Sequence, residues 1–347
     1  MHPIEARNRQ FLSDLFGGPF RGHAIWFTPP DAPTDDLGDF AISDRPVSQW
    51  LPVMEQRYQR QVEWMEALQD DSVPYVGLNT NTAVFAAAFG CRVHVYGDSP
   101  AAARPLVRTP QEADRLREPS LEAPTLSRIL ELGELMRERL GPEACIGVPD
   151  VQSPLDIAAL IWNKQDFYTA IMDTPDAVQR LVGRCHRLLK RFLTEFRARF
   201  PNSNLCHCPR AWAPPHYGCW LSEDEAGAMS TAMFEEFCLP SLVDLSRTFG
   251  GLFVHCCAAA DHQYESFKKI PNLRGLNRVF QAPGPRPALE AFDGSTVHML
   301  AFTTLEGIEQ TLGMALPKNR FLMNPPAESL EEARRIHDRL RARCPRR

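Results

Sequence analysis

Eight short apolar runs, most of them separated by stretches of helical period, constrain this chain more than any other feature. They are His23–Phe27, Pro74–Asn79, Cys145–Pro149, Asn204–Cys208, Leu252–Val254, Gly275–Phe280, Thr296–Phe302 and Phe321–Asn324. Runs of this length, bounded by Gly, Pro or Asn, read as buried strands, and strands alternating with helices read as a parallel sheet. Eight such units predict an α/β fold, a single (β/α)8 TIM barrel over residues 1–347 with 1–22 as an N-terminal extension. An open doubly wound sheet is the alternative. Against it, no strand leads into G-x-G-x-x-G or G-x-x-x-x-G-K-S/T, the backbone cradles that such sheets use for nucleotides.

The stretches between the runs carry their own signals. Trp50, Met54, Tyr58, Val62 and Met65 recur at three or four residues and predict a helix from Pro46 to Leu68. Thr125 to Leu140 reads the same way. Ser153-Pro154 and Thr174-Pro175 each place a capping residue before a proline at the first helical position. Ser230 opens a helix that Pro240 should interrupt, and Thr303 with Glu306 and Ser329 with Glu332 have capping-box spacing. Cys91 to Val95 is strand-like but runs at once into Gly97-Asp98-Ser99-Pro100, so it is expected to be an inserted hairpin. The long stretch from Cys206 to Asp224 is expected to be a loop after the fourth strand.

Bulk properties exclude several classes of function. A hydrophobic fraction of 44% with 23% charged residues supports a large core. No apolar run approaches the roughly 20 residues that span a bilayer. A net charge of -5 gives no electrostatic reason to bind nucleic acid or an anionic membrane. The first 16 residues carry Glu5, Arg7, Arg9 and Asp14 where a secretory signal would be apolar, and the ten cysteines form no compact disulfide framework. A cytoplasmic protein acting on a small molecule is the expectation, with a homodimer left open.

The chemistry concentrates where the run Leu252-Phe253-Val254 ends in His255-Cys256-Cys257. Residues two apart on a strand face the same way, so His255 and Cys257 can converge while Cys256 points elsewhere. That spacing makes half of a zinc site. Zinc takes about four N, S or O ligands and keeps one position open in a catalytic site. The third ligand could come from Cys206, Cys208, Cys219, Asp224, Glu225 or His262, and plain core packing is the alternative role for the cysteines. Asp224 and His255 are the candidate catalytic residues. Asn79, Asn277 and Asn324, at or near strand ends, are candidate substrate contacts. His186, His298 and His337 are expected to be structural or superficial.

Five segments together resemble the uroporphyrinogen decarboxylase superfamily over roughly residues 45 to 342. They are Asp71-Ser72-Val73-Pro74 through Phe89-Gly90-Cys91, Gly147 through Val178, Ser222-Glu223-Asp224 through Pro240, His255-Cys256-Cys257, and Asn324-Pro325-Pro326-Ala327-Glu328-Ser329. The resemblance implies a single (β/α)8 barrel. The decarboxylases of that superfamily carry an arginine-rich R-Q-A-G-R signature after the first strand, where this chain has Ile25-Trp26-Phe27-Thr28-Pro29-Pro30. Its corrinoid-linked methyltransferases hold zinc with H-x-C and a distant Cys near the last strand. His255 and Cys257 match the pair, but Phe321-Leu322-Met323-Asn324-Pro325 has no Cys. The resemblance therefore implies a zinc-dependent methyltransferase that moves a methyl group between a corrinoid and a thiol or other small acceptor. No D-x-H-x-x-G occurs, so the corrinoid would arrive free or on a separate corrinoid protein. A metal-free decarboxylase or lyase, with Arg210 and Arg278 as the nearest cations, and a non-catalytic corrinoid- or tetrapyrrole-binding barrel are the alternatives.

Overall fold

A computed structural model describes residues 2–30, 39–78, 80–96, 101–294 and 296–346. The fold is the expected (β/α)8 barrel. Six strands form one parallel sheet in the order β1, β8, β7, β6, β5, β4. These are β1 (Ala24–Ile25), β4 (Cys219–Ser222), β5 (Leu252–Cys256), β6 (Leu273–Arg278), β7 (Val297–Leu300) and β8 (Arg320–Met323). A second parallel pair, β2 (Ile146–Gly147) with β3 (Ser203–Asn204), continues the ring. Bridges at Val76–Ile146 and Gln152–Ser222, and a bond from the Asp71 N–H to the Ile25 carbonyl, connect the two sheets.

Successive side chains along the strands alternate between two buried layers, as a barrel requires. Ala24, Trp26, Trp220, Phe253, Val297, Met299 and Leu322 share one buried cluster, while Ile25, Phe27, Leu300, Phe321 and Met323 fall in another with helix residues such as Trp64, Leu68 and Ile336. The first cluster is therefore the barrel interior and the second an outer layer between strands and helices. Gly275 is needed inside. A Cβ there would lie 2.6 Å from the Phe253 ring and 3.0 Å from the Met299 sulfur.

The N-terminal segment is a helix, α1 (Pro3–Gly17), which plugs one end of the barrel. Phe11, Leu12, Leu15 and Phe16 join the interior cluster, and Phe16 meets Phe253 edge to face at 5.1 Å. Arg320, at the start of β8, donates to the carbonyls of Asp14, Leu15 and Gly18 and so ties down the end of this helix. α2 (Leu51–Leu68) lies outside the wall, and Cys91 to Val95 does form a hairpin, pairing Arg92–His94 with Ala102–Arg104. Helix Thr231–Phe237 stops at Cys238, and Leu239–Phe249 continues with Pro240 in its first turn, as expected.

Several expectations change, beginning with Pro74–Asn79, whose described residues form a single bridge at Val76 and no ladder strand. The fourth strand is shorter than Asn204–Cys208, and Cys219–Ser222 is a strand of its own inside the stretch read as one long loop. No α-helix connects β3 to β4, only a 3-10 turn at Pro215–Tyr217. Ala211, Trp212 and Ala213 instead pack in the interior cluster as the chain comes back, ending at Tyr217 against Gly17 of α1. The prolines at 209, 214 and 215 and Gly218 hide this return by breaking any period around a four-residue strand. Thr304, rather than Thr303, caps the helix after β7.

Replacing Gly275 with Ala should cost about 1–3 kcal/mol, because Phe253 and Met299 are themselves held by α1. Urea unfolding checks this, and an unchanged midpoint would show that the interior yields where packing says it cannot.

Candidate metal centre

β5 carries Phe253, His255 and, just beyond it, Cys257 on its inner face, whereas Val254 and Cys256 pack outward with the helices. Phe253 fills the core, and the next two reach the rim. His255 sits where the strands end, its ring 5.9 Å from Phe302. Asp224 arrives from the turn after β4. The ligand atoms of Asp224, His255 and Cys257 all lie within 4.8 Å of one another, and this is the grouping of three metal-binding side chains found among the described residues. Zinc bonds of about 2.0–2.3 Å put tetrahedral ligands roughly 3.5 Å apart, so small side-chain shifts would seat an ion on this N, S and O set.

The neighbours of each ligand favour that use. His255 Nδ1 is 2.6 Å from Asn277 Oδ1, and Asn277 Nδ2 donates to the Met299 carbonyl at 2.6 Å. With the amide oriented by Met299, Nδ1 carries the proton and Nε2 keeps the lone pair that a metal needs. Asn277 is fully buried and both ends of its amide are used. It therefore orients His255 and does not touch substrate, which corrects its expected role as a substrate contact.

The Cys257 backbone N–H donates to Asp224 Oδ1 at 2.7 Å. Burial and then the neighbouring Asp224 carboxylate push the Cys257 thiol up to about 12. A thiol so placed stays protonated at neutral pH unless a cation replaces the proton. Asp224 is itself held from below: Asp156, buried at the start of helix Pro154–Ile161, accepts the Asp224 N–H at 2.8 Å and the Glu225 N–H at 3.0 Å. Burial, followed by the charges of Asp224 and Glu225, raises Asp156 to about 8. Glu223, fully buried beside it, is raised well above the usual carboxylate range by the same desolvation and by Asp156. Neither Glu223 oxygen finds a hydrogen-bond donor. This buried acid pair was not anticipated, and the N-cap pattern Ser153-Pro154-x-Asp156 was its only trace in the sequence.

The other candidates separate cleanly. Cys206 lies in the barrel interior and Cys219 in the outer layer. Glu225 is engaged by Lys164 and Tyr168, and His262 by the Met229 carbonyl at 2.8 Å. Cys208 is close enough to Asp150, Asp224 and Cys257 for their charges to raise its thiol further, although burial is the main cause. Asn324, at the end of β8, donates to the Trp26 carbonyl at 3.2 Å. Asn79 lies outside the described residues. Arg278 is buried and spends its guanidinium on the carbonyls of Cys256 and Ala258, so it shapes the loop after β5 and offers no charge to a substrate. His298 is buried and pushed down to about 4 by desolvation, and His186 is hydrogen-bonded to Asp244.

Fold and trio together define a (β/α)8 barrel with a three-ligand nitrogen, sulfur and oxygen cluster at the rim where enzymes of this architecture carry their sites. Residues 68–199 match the model of the uroporphyrinogen decarboxylase (URO-D) family. The three ligands lie beyond that segment. Among solved structures, a methyltransferase from Methanosarcina mazei has the same fold, with a TM-score of 0.67 over 97% of this chain and 98% of that one at 13% identity. No curated protein matches the sequence. No helix of the described residues is long and apolar enough to cross a membrane.

The acid pair has a pH signature. A carboxyl whose pKa is raised by folding holds its proton in the native state and loses it when unfolded, so stability declines as pH rises towards the folded value. Buried neutral His23, His207 and His298 act oppositely, but only below about pH 6.5. Between pH 6.5 and 8 these histidines contribute little, buried Asp70, raised to about 7 by desolvation, adds to the decline up to that pH, and denaturant-derived stability should fall by about 1 kcal/mol per unit for each proton the pair retains. Glu223→Gln should remove a large part of that slope. An equal slope in the variant would mean that Glu223 is ionised in the fold.

Proposed function

We propose that this protein is a zinc-dependent methyltransferase that moves a methyl group between a corrinoid and a thiol or another small acceptor. The observation that carries the reading is the convergence of Asp224, His255 and Cys257 at the rim, with Asp224, from the turn after β4, as the third ligand in place of the cysteine that the superfamily's methyltransferases carry near the last strand. The fold shared with a methyltransferase supports it, and the resemblance alone supplies the corrinoid.

In this reading His255 Nε2, the Cys257 sulfur and an Asp224 oxygen would hold zinc, whose chemistry there is to lower the pKa of a bound thiol. The chain's own residues do the rest. Asn277 keeps the proton on Nδ1 of His255, so the ring presents Nε2 in one orientation. Asp156 holds the backbone of the Asp224 turn, and Asp224 in turn holds the backbone of Cys257. The corrinoid and the thiol would be the substrates: the thiol would release its proton to solvent, its sulfur would bond the methyl carbon as the cobalt–carbon bond breaks, and the bonding pair would remain with the corrinoid. Asn79 and Asn324 are the proposed substrate contacts. The corrinoid would come free or on a separate protein, in the cytoplasm.

Protein purified without chelator should contain about one zinc per chain by elemental analysis, and Cys257→Ala should contain almost none while unfolding as chelator-treated wild type does. Asn277→Ala should bind zinc 10–100-fold more weakly, as loss of a ligand's orienting partner typically does. A metal-free wild type would sink the proposal and favour the lyase reading.

A further inference from the structure

The barrel wall is not closed by a ladder between β1 and the segment 73–77. Above the Asp71–Ile25 bond, the Ile25 and Phe27 N–H groups are taken by the carboxylates of Asp71 and Asp70, at 2.7 and 3.0 Å. On the facing side the Gln61 amide of α2 serves both backbone groups of Tyr75, at 3.3 Å to its nitrogen and 2.9 Å to its oxygen. Side chains do here what a neighbouring strand would do. The seam is propped apart, and a pocket runs through it.

That pocket has walls on both sides of the barrel. Trp26, Tyr75 and Trp212 belong to the interior, and Arg57 and Arg60 to α2 outside, with Arg210 on the loop that leads into the interior. None of the three arginines has a side-chain hydrogen bond or ion pair among the described residues, and Arg57 Nε is buried without a partner. Elsewhere in the protein, guanidinium groups meet carboxylates, as Arg180 meets Asp114 and Arg339 meets Glu309. Trp26 and Trp212 are 7% and 6% exposed, and each has an indole N–H with no acceptor. Asp71 also lines the pocket, but Arg341 and Arg346 neutralise it. The charge of Arg210 reaches Asp150 and His207, which also feel Asp224 and His255, so the inner end lies on the side of the metal-binding trio.

We propose that this cross-wall pocket binds a small organic acid, one carrying at least two acidic groups on a flat apolar body, through Arg57, Arg60 and Arg210. Guanidinium groups take carboxylate or sulfonate oxygens in charge-assisted, commonly bidentate bonds, and the aromatic walls take the body. The set offers donors without acceptors, which selects against cations and neutral polyols. Binding here does not depend on zinc.

Calorimetric titration with trimesate (benzene-1,3,5-tricarboxylate) tests the site on chelator-treated full-length protein. Saturable binding of one trimesate per chain is expected. It should weaken at least about ten-fold in Arg57→Gln/Arg60→Gln and separately in Arg210→Gln, the worth of a charge-assisted bond. Exposed Arg117→Gln, far from the pocket lining, and Cys257→Ala should bind as wild type does. No binding by wild type, or equal binding by the pocket variants, overturns the proposal. Inorganic phosphate binding as tightly as trimesate overturns the part assigned to the aromatic walls. Because the readout uses neither metal nor turnover, a failed zinc measurement and a failed titration point to different errors.

Discussion

The two-residue period of β5 is the constraint on which the rest depends. One face of a five-residue strand must fill a barrel core at one end and present reactive groups at the other. Phe253 meets the first need, and its ring fixes Gly275 on the next strand and receives Phe16 from the N-terminal helix. His255 and Cys257 inherit the same direction. The reactive pair is therefore aimed by core packing rather than by loop conformation, and a register slip of one residue would exchange it for Val254 and Cys256.

Around that strand, buried polar groups act as a support frame. Asn277 is enclosed by the barrel and spends its whole amide on aligning a ring. Asp156 accepts two successive backbone N–H groups and so sets the turn from which Asp224 projects. Burying a carboxylate this deep is expensive in charged form, and the proton retained by Asp156 or Glu223 avoids that cost. The placement of Asp224 and His255 is thereby tied to groups outside the trio.

The barrel was legible because eight apolar runs announce themselves through period and turn residues, and the His255/Cys257 pair because strand geometry alone makes them neighbours. Asp224 could be named only as one of several third partners, since its approach to Cys257 spans 33 positions in sequence and depends on β4. That strand was hidden by its length and by the prolines before it. The arginine pocket was invisible for a related reason. Arg57 and Arg60 look like ordinary wet residues of an amphipathic helix, and only the open seam beside Tyr75 turns them inward. Asn277 illustrates the converse: its place near a strand end was readable, but the two bonds that withdraw it from substrate were not.

The neutralisation of Asp71 bears on biosynthesis. Its carboxylate is completely buried in the seam, and the guanidinium that reaches it from Arg341 belongs to a residue 270 positions later, with Arg346 beyond that. Arg320 likewise secures the end of the first helix from more than 300 positions away. A chain emerging from the ribosome must keep this helix and this acid waiting, in water or under a chaperone, until Arg320 and Arg341 have been made. Closure of the seam therefore waits on partners far along the chain.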